Sequence, residues 1–231
     1  GTGLQAYLQK CTEGGVRAGT LSHIKLTAAK GLLLPRRISA GLVPPATIEL
    51  EAILVSSNGT TAPIIIAASQ SLTGSPSVGE AYAAGPVTIN GATLNGVQSI
   101  DIDFGIQDLA LGGDGSVYET FAAIGQRRPS IAIKALDCNF VDTFGLVGVA
   151  QAATDSVIYL AKVTEGGTRE SGAGSAITFT VDEGRIQWRS VGGGDGEPVP
   201  LDILITPTFD GTNPIIAVAV AGTFVALVFT A

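Results

Sequence analysis

One alternating stretch, Ser99–Gln107, constrains the fold more than any other part of the sequence. Apolar residues fill every second position, and polar ones stand between them: Ile100, Ile102, Phe104 and Ile106 against Ser99, Asp101, Asp103 and Gln107. A period of two is that of a β-strand with one face in a core and the other in water. We therefore expect an amphipathic strand here.

The flanking residues predict more short antiparallel strands. Upstream, Asn90-Gly91 and Asn95-Gly96 are the dipeptides that most readily adopt the positive φ angles of tight hairpin turns. Downstream, Ser130–Leu136 again has strand character, and Asp182–Gly184 predicts a hairpin between two further strands. About ten short strands with frequent turns predict a mainly β fold, an antiparallel sandwich or barrel.

One short helix is expected to pack on this sheet. Ser116-Val117-Tyr118-Glu119 matches a capping box, in which the hydroxyl and the carboxylate satisfy free amides at a helix start. Val117, Phe121 and Ile124 follow at helical spacing, and Gly125 suits a left-handed cap. The pattern predicts a helix from Val117 to Ile124.

The chain length of 231 residues suits a single β-rich domain over 1–231. Residues 1–20 have weak periodicity and several glycines, which indicates an N-terminal arm. Residues 140–231 contain about six further strands and suggest an additional β layer. The apolar segment 215–231 is short for a membrane span and predicts two buried strands near Gly222.

A second alternating strand, Thr47–Val55, places Glu49 and Glu51 on its wet face. Together with Asp101 and Asp103, these residues give two strands whose polar faces are acidic. Asp101 and Asp103 also have the separation of a catalytic carboxylate pair, but two acids on one strand face are more typical of a solvated surface.

The composition indicates that a large part of the surface is covered by other molecules. Hydrophobic residues make up 45% of the chain and charged residues 14%, against about 25% charged in typical globular proteins. The simplest molecules to cover this surface are identical subunits of the same protein. The net charge of −7 argues against a protein that reads nucleic acids, because binding phosphates requires a basic face.

A long neutral loop over residues 69–85 is the expected contact loop between subunits. It is rich in Ser, Gly and Pro, and loops of this length are commonly functional. The candidate contact residues are Ser69, Leu72, Ser75, Val78 and Tyr82.

No residue set for catalysis, metal or cofactor binding is recognisable in the sequence. His23 is the sole histidine and has no partner at ligand spacing. Phosphate-loop and nucleophile-elbow motifs do not occur. Cys11 and Cys138 are too few for a disulfide framework, and we interpret them as reduced thiols, with a single bridge left open. We expect a protein that is not an enzyme and needs no metal or cofactor.

The layout of residues 85–136 resembles that of the tail tube proteins of long-tailed bacteriophages, which share their fold with the tube protein of type VI secretion. The similarity lies in an alternating strand, a loop, a helix at 116–124, and Gly125-Gln126-Arg127-Arg128-Pro129 leading into a returning strand. The similarity covers about a quarter of the chain and concerns the order of the elements. No functional residue of the family can therefore be assigned to a position in this sequence.

This resemblance implies a structural virion protein, assembled in the host cytoplasm. Identical subunits would form hexameric rings whose sheets join into a ring-shaped β-barrel, and the rings would stack and meet other tail proteins. Genomic DNA would pass through the tube without specific binding, and no membrane would be involved. The acidic candidates Glu49, Glu51, Asp101 and Asp103 would then face the lumen and repel the DNA backbone.

Three other functions are alternatives to a tube protein. A capsid decoration protein or a tail terminator protein has the same sequence character as a tube protein. A carbohydrate-binding β-sandwich adhesin would need exposed aromatic side chains, and the chain offers one tryptophan, Trp188, and four tyrosines.

Overall fold

The computed structural model describes residues 4–10, 23–28, 30–71, 81–113, 115–137, 140, 151–152, 156–164, 166–170, 175–191 and 200–220. The chain divides into two compact units. Unit 1 comprises residues 1–34, 50–78 and 106–127, and unit 2 comprises residues 35–49, 79–105 and 128–231.

The elements described are all β-strands, and every assigned pairing is antiparallel, so the expected mainly β, antiparallel fold is confirmed. In chain order they are β1 (Gln5–Gln9), β2 (His23–Ala28), β3 (Lys30–Gly41), β4 (Thr47–Val55), β5 (Ile64–Gln70), β6 (Ala81–Ile89), β7 (Ala92–Leu94), β8 (Val97–Asp103), β9 (Ile106–Leu111), β10 (Phe121–Arg127), β11 (Ser130–Ala135), β12 (Gln151–Ala152), β13 (Ser156–Val163), β14 (Ala176–Val181), β15 (Gly184–Val191), β16 (Leu201–Pro207) and β17 (Ala217–Val220).

Unit 2 is a sandwich of two sheets around one core. The five-stranded sheet has the order β17-β14-β13-β6-β7, and the seven-stranded sheet has the order β12-β15-β16-β11-β8-β3-β4. Strands β3 and β4 also run into unit 1, with residues 30–34 and 50–55. Side chains from both sheets of unit 2 form a single cluster of buried apolar residues.

Isoleucine dominates the inner face of the seven-stranded sheet. Five buried isoleucines face one another across five adjacent strands: Ile38, Ile102, Ile131, Ile205 and Ile186. The adjacent buried row is Ala40, Ile100, Ile133, Ile203 and Trp188. Branched side chains of this kind pack well on a pleated surface. The opposing sheet covers them with residues such as Phe179 and Leu160.

The alternation predicted over Ser99–Gln107 is confirmed over β8. Ile100 and Ile102 are buried, whereas Asp101 and Asp103 point to the other face. The strand ends at Asp103, and Gly105 takes a φ of 54° before β9 begins at Ile106. The predicted turn at Asn90-Gly91 is also confirmed, because both residues have positive φ and β6 pairs with β7.

The predicted helix from Val117 to Ile124 is wrong. Residues 115–120 form turns and irregular backbone, and Phe121–Arg127 is strand β10, paired with β9. The carbonyl of Gly59 accepts hydrogen bonds from the amides of Val117 and Tyr118, and the carbonyl of Glu119 accepts one from Ser56. Long-range backbone pairing thus satisfies the groups that a helix would have bonded internally.

The hairpin expected around Asp182–Gly184 is also wrong. Its two strands, β14 and β15, are consecutive in the chain but belong to different sheets. Residues 140–231, which the sequence suggested as an additional layer, supply strands to both sheets of the sandwich.

Unit 1 contains a three-stranded sheet of order β1-β2-β5 and a two-stranded ribbon of β9 and β10. The arm expected over residues 1–20 contributes β1 to this sheet. None of the sheets within the described ranges closes into a barrel. Residues 221–231, Cys11 and Cys138 lie outside the described residues.

We predict that Gly105→Ala destabilises the protein more than Gly211→Ala. Both glycines have φ in the left-handed region, which costs a non-glycine residue about 1 kcal/mol. A β-carbon at Gly105 would in addition overlap the carbonyl oxygen of Arg128, whereas one at Gly211 meets open space. Urea unfolding of the two variants measures the difference, and equal midpoints would contradict this account of the turn.

Candidate functional site

Arg37 lies beside Asp101 on the outer face of the seven-stranded sheet in unit 2. The register pairs β3 with β8, so that Ser39 is opposite Asp101 and Arg37 is opposite Asp103. The Arg37 Nε donates a hydrogen bond to Asp101 Oδ1 at 2.7 Å, and its Nη2 donates to Asp101 Oδ2. One predicted lumen carboxylate is therefore held by a two-pronged ion pair.

Two more of the acidic candidates act on the same guanidinium. The hydrogen bond that Arg37 donates to Asp101, and then the charge of Asp101, raise the pKa of Arg37. Glu49 and Asp103 shift that pKa in the same direction. Asp103 is also bound locally, because its Oδ1 accepts the amide hydrogen of Gly105 at 2.7 Å. Three predicted residues thus form one cluster centred on Arg37, which we call the Arg37 cluster.

The fourth candidate, Glu51, is exposed and belongs to unit 1. Glu49 and Asp103 are exposed as well, and Asp101 is half-buried. All four carboxylates therefore reach solvent to some degree. Because Arg37 lies among three of the four acidic candidates, this surface carries less negative charge than the four carboxylates alone would give it.

The predicted contact loop is shorter than residues 69–85. Strand β5 runs to Gln70 and β6 begins at Ala81. Ser69 is exposed and has a φ of 56°, whereas the Tyr82 side chain is buried in the unit 2 core, away from the surface. Leu72, Ser75 and Val78 lie outside the described residues.

One face of the three-stranded sheet in unit 1 is entirely apolar. Directly paired residues share a face, and Ala6 pairs with Leu26, which pairs with Ile66. Alternation along the strands completes the set, which we call the apolar face: Leu4, Ala6, Leu8, Ile24, Leu26, Ala28, Ile64 and Ile66. The opposite face carries Tyr7 and Lys25. The ammonium group of Lys25 lies 5.8 Å from the centroid of the Tyr7 ring.

Most of the apolar face is open to solvent. Leu8 is 55% exposed and Ile66 is 68% exposed, while Ala28 is buried at one end. Leu4 and Ala28 also line a cavity of about 250 Å³, together with Lys30, Gly31, Leu32, Leu33 and Leu54.

Exposure of large apolar side chains is concentrated in unit 1. Among the described residues, twelve of the seventeen exposed large hydrophobic side chains belong to this unit. They include Leu109, Leu111 and Phe121 on one face of the ribbon. Only three buried apolar residues of the described part belong to unit 1: Ala28, Leu34 and Val55.

The described residues offer no group of three or more metal-ligating side chains. His23 is half-buried, and its ring stands edge-on to Tyr7. Trp188 is buried and stands edge-on to Phe140. No helix among the residues described has the length and hydrophobicity needed to cross a bilayer.

Comparison with models of known protein families and with curated proteins finds no match.

Two features escaped the sequence reasoning. The alternation Arg37-Ile38-Ser39-Ala40 within β3 places Arg37 on a polar face, but its pairing with β8 is long-range. The apolar face was missed because each of its strands contributes only two or three apolar residues. The run Ile64-Ile65-Ile66 was its clearest signal, because a strand with apolar side chains on both faces needs a packed layer on each face.

We predict that Arg37→Gln lowers stability most at low salt. Removing the guanidinium leaves the carboxylates of the Arg37 cluster to repel one another, and added salt screens that repulsion. Added NaCl should therefore recover stability in this variant more than in Arg189→Gln, which removes an exposed arginine from β15. The measurement is the urea midpoint with and without NaCl. The same salt response in both variants would contradict the proposed repulsion.

Proposed function

We propose that this chain is the structural subunit of a hollow bacteriophage tail tube. Identical copies would form rings that stack and contact other tail proteins, and genomic DNA would pass through the channel without specific binding. The proposal needs no catalytic group, metal or cofactor, and it places the protein in a virion assembled in the host cytoplasm.

The supporting observation is the contrast between the two units. Unit 2 has a continuous core, whereas the described residues of unit 1 expose twelve large apolar side chains and bury three apolar residues. Covering a fully exposed Leu, Ile or Phe side chain stabilises a protein by about 1.5–3 kcal/mol. Assembly therefore gives unit 1 the burial that the single chain lacks, which favours a subunit over a free-standing protein.

The long edge strand β4 is compatible with growth of the sheet between copies. It is the terminal strand of the seven-stranded sheet, and its first six residues are exposed. Ile48 and Leu50 are among them. Natural sheets protect such edges with charged side chains, above all lysine, with proline or with bulges. Strand β4 contains no lysine or proline, and its charged residues are Glu49 and Glu51.

An acidic lumen remains part of the proposal, with its charge redistributed. Asp101 is neutralised by Arg37, so Glu49, Glu51 and Asp103 would carry more of the repulsion between the wall and the DNA phosphates. A weakly negative wall prevents the duplex from sticking as it slides.

The other candidate functions differ in how well the structure suits them. A capsid decoration or tail terminator protein would use the same assembly surfaces, and only the final architecture separates it from a tube protein. A carbohydrate-binding adhesin is less well supported, because the sole tryptophan is buried in the unit 2 core and provides no stacking platform.

We expect the purified protein to form rings or hollow tubes with a central channel as its concentration rises. Association buries the apolar surface of unit 1, so mass action favours it. Negative-stain electron microscopy over a concentration series is the measurement. A monodisperse monomer at every concentration would contradict the proposal, and solid or closed particles would favour a decoration protein.

We further expect Glu49→Lys to make assembled tubes retain duplex DNA at low salt and impair DNA ejection. A lysine facing the channel would attract phosphates, and this attraction weakens steeply as salt rises. Glu183→Lys is the matched control, because it makes the same charge change at an exposed turn between β14 and β15. Normal ejection and infectivity with Glu49→Lys would count against a lumen position for this strand.

A further inference from the structure

We propose that the apolar face of the three-stranded sheet docks on unit 1 of a second copy of this chain. This inference rests on the proposed function and deepens it, because it names the surface through which copies meet. The occupant is unit 1 of that second copy.

The chemistry of the apolar face fits a dry contact. It contains only Leu, Ile and Ala side chains over three strands, with no polar group that would need a partner. At one end it continues into the cavity lined by Leu4 and Ala28, whose other walls are formed by Lys30, Gly31, Leu32, Leu33 and Leu54. A sheet face of this kind packs on another layer about 10 Å away.

Exposed apolar area and charge together favour unit 1 of another copy as the occupant. Unit 1 carries twelve of the seventeen exposed large hydrophobic side chains among the described residues, so it offers the matching apolar surface. By sequence, unit 1 has five cationic and five anionic residues, whereas unit 2 has eight and fifteen. The whole net charge of −7 therefore belongs to unit 2. Two copies of unit 1 approach each other without net repulsion, whereas two copies of unit 2 repel.

The same count argues against an anionic membrane as the occupant. Peripheral proteins bind such surfaces with apolar side chains surrounded by an excess of lysine and arginine. Unit 1 has no cationic excess, and Lys25 lies on the opposite face of the sheet.

The size of the apolar face indicates that it works together with other contacts. Three strands about 4.8 Å apart, each with five residues at about 3.4 Å, give a footprint of about 240 Å². A stable interface buries about 800 Å² on each partner. The ribbon face with Leu109, Leu111 and Phe121 supplies further apolar area within unit 1. A stable contact through the apolar face therefore needs this additional area as well.

Two adjacent residues of β5 provide a matched test. Ile66 lies on the apolar face, and Ile65 lies on the opposite face, with exposures of 68% and 52%. Ile66→Glu and Ile65→Glu thus introduce the same charge into the same strand and differ in the face that receives it. We expect Ile66→Glu to raise the concentration needed for assembly by about tenfold or more, with a smaller effect of Ile65→Glu. Leu8→Glu, on the neighbouring strand β1, should behave like Ile66→Glu.

Circular dichroism and thermal unfolding verify that the variants fold. A second measurement needs no substitution: hydroxyl-radical oxidation of Leu8 and Ile66 should fall on assembly, while that of Val43, an exposed residue of unit 2, should fall less.

Each outcome decides the inference. Weaker assembly of Ile66→Glu and Leu8→Glu than of Ile65→Glu, with protection of Leu8 and Ile66 in the unsubstituted assembly, supports it. If the unsubstituted chain assembles but Ile66→Glu assembles as well as Ile65→Glu and neither Leu8 nor Ile66 is protected, the inference is wrong and the proposed function stands. A chain that never self-associates overturns both. Flotation of that monomer with phosphatidylglycerol vesicles would then identify a membrane as the occupant.

Discussion

The stability of unit 2 depends on the packing of two apolar sheet faces against each other. The row from Ile38 to Ile186 crosses five strands, and each member is buried only because its neighbours are in register. If one of these strands slipped by one residue in its pairing, its buried isoleucines would turn to the outer face. The same register places Arg37, Ser39, Asp101 and Asp103 together on the outer face. The Arg37 cluster is therefore a consequence of how the core is aligned.

Unit 1 has no equivalent constraint of its own. Its described sheets have two and three strands, and such small sheets are marginal without a layer packed on them. The apolar face and the ribbon face have the composition of a protein core, but no second layer of the described residues covers them. In the proposed function, another copy would supply the missing layer. The negative charge lies on unit 2, which already has a complete core.

The sequence predicted local features well where a short period or a turn motif determines them. The alternation in β8 and the Asn90-Gly91 turn are examples. It failed where distant residues compete for the same backbone groups: Ser116–Glu119 has the residues of a helix cap, but Gly59 bonds the amides of Val117 and Tyr118. It also failed at Asp182–Gly184, because a tight turn looks the same whether the next strand pairs within the sheet or crosses to the other one. The acidic candidates were visible in the sequence, but Arg37 could be placed among them only once β3 was paired with β8.

The interleaving of early and late strands in unit 2 has a consequence for how the protein is made. Ile131 on β11 pairs with Ile205 on β16, so the centre of the seven-stranded sheet cannot form until the chain is almost fully synthesised. Pairing between distant segments is also intrinsically slow. Strands β1, β2 and β5 leave the ribosome long before this, with their apolar side chains uncovered. The nascent chain therefore passes through a period in which unproductive aggregation competes with folding.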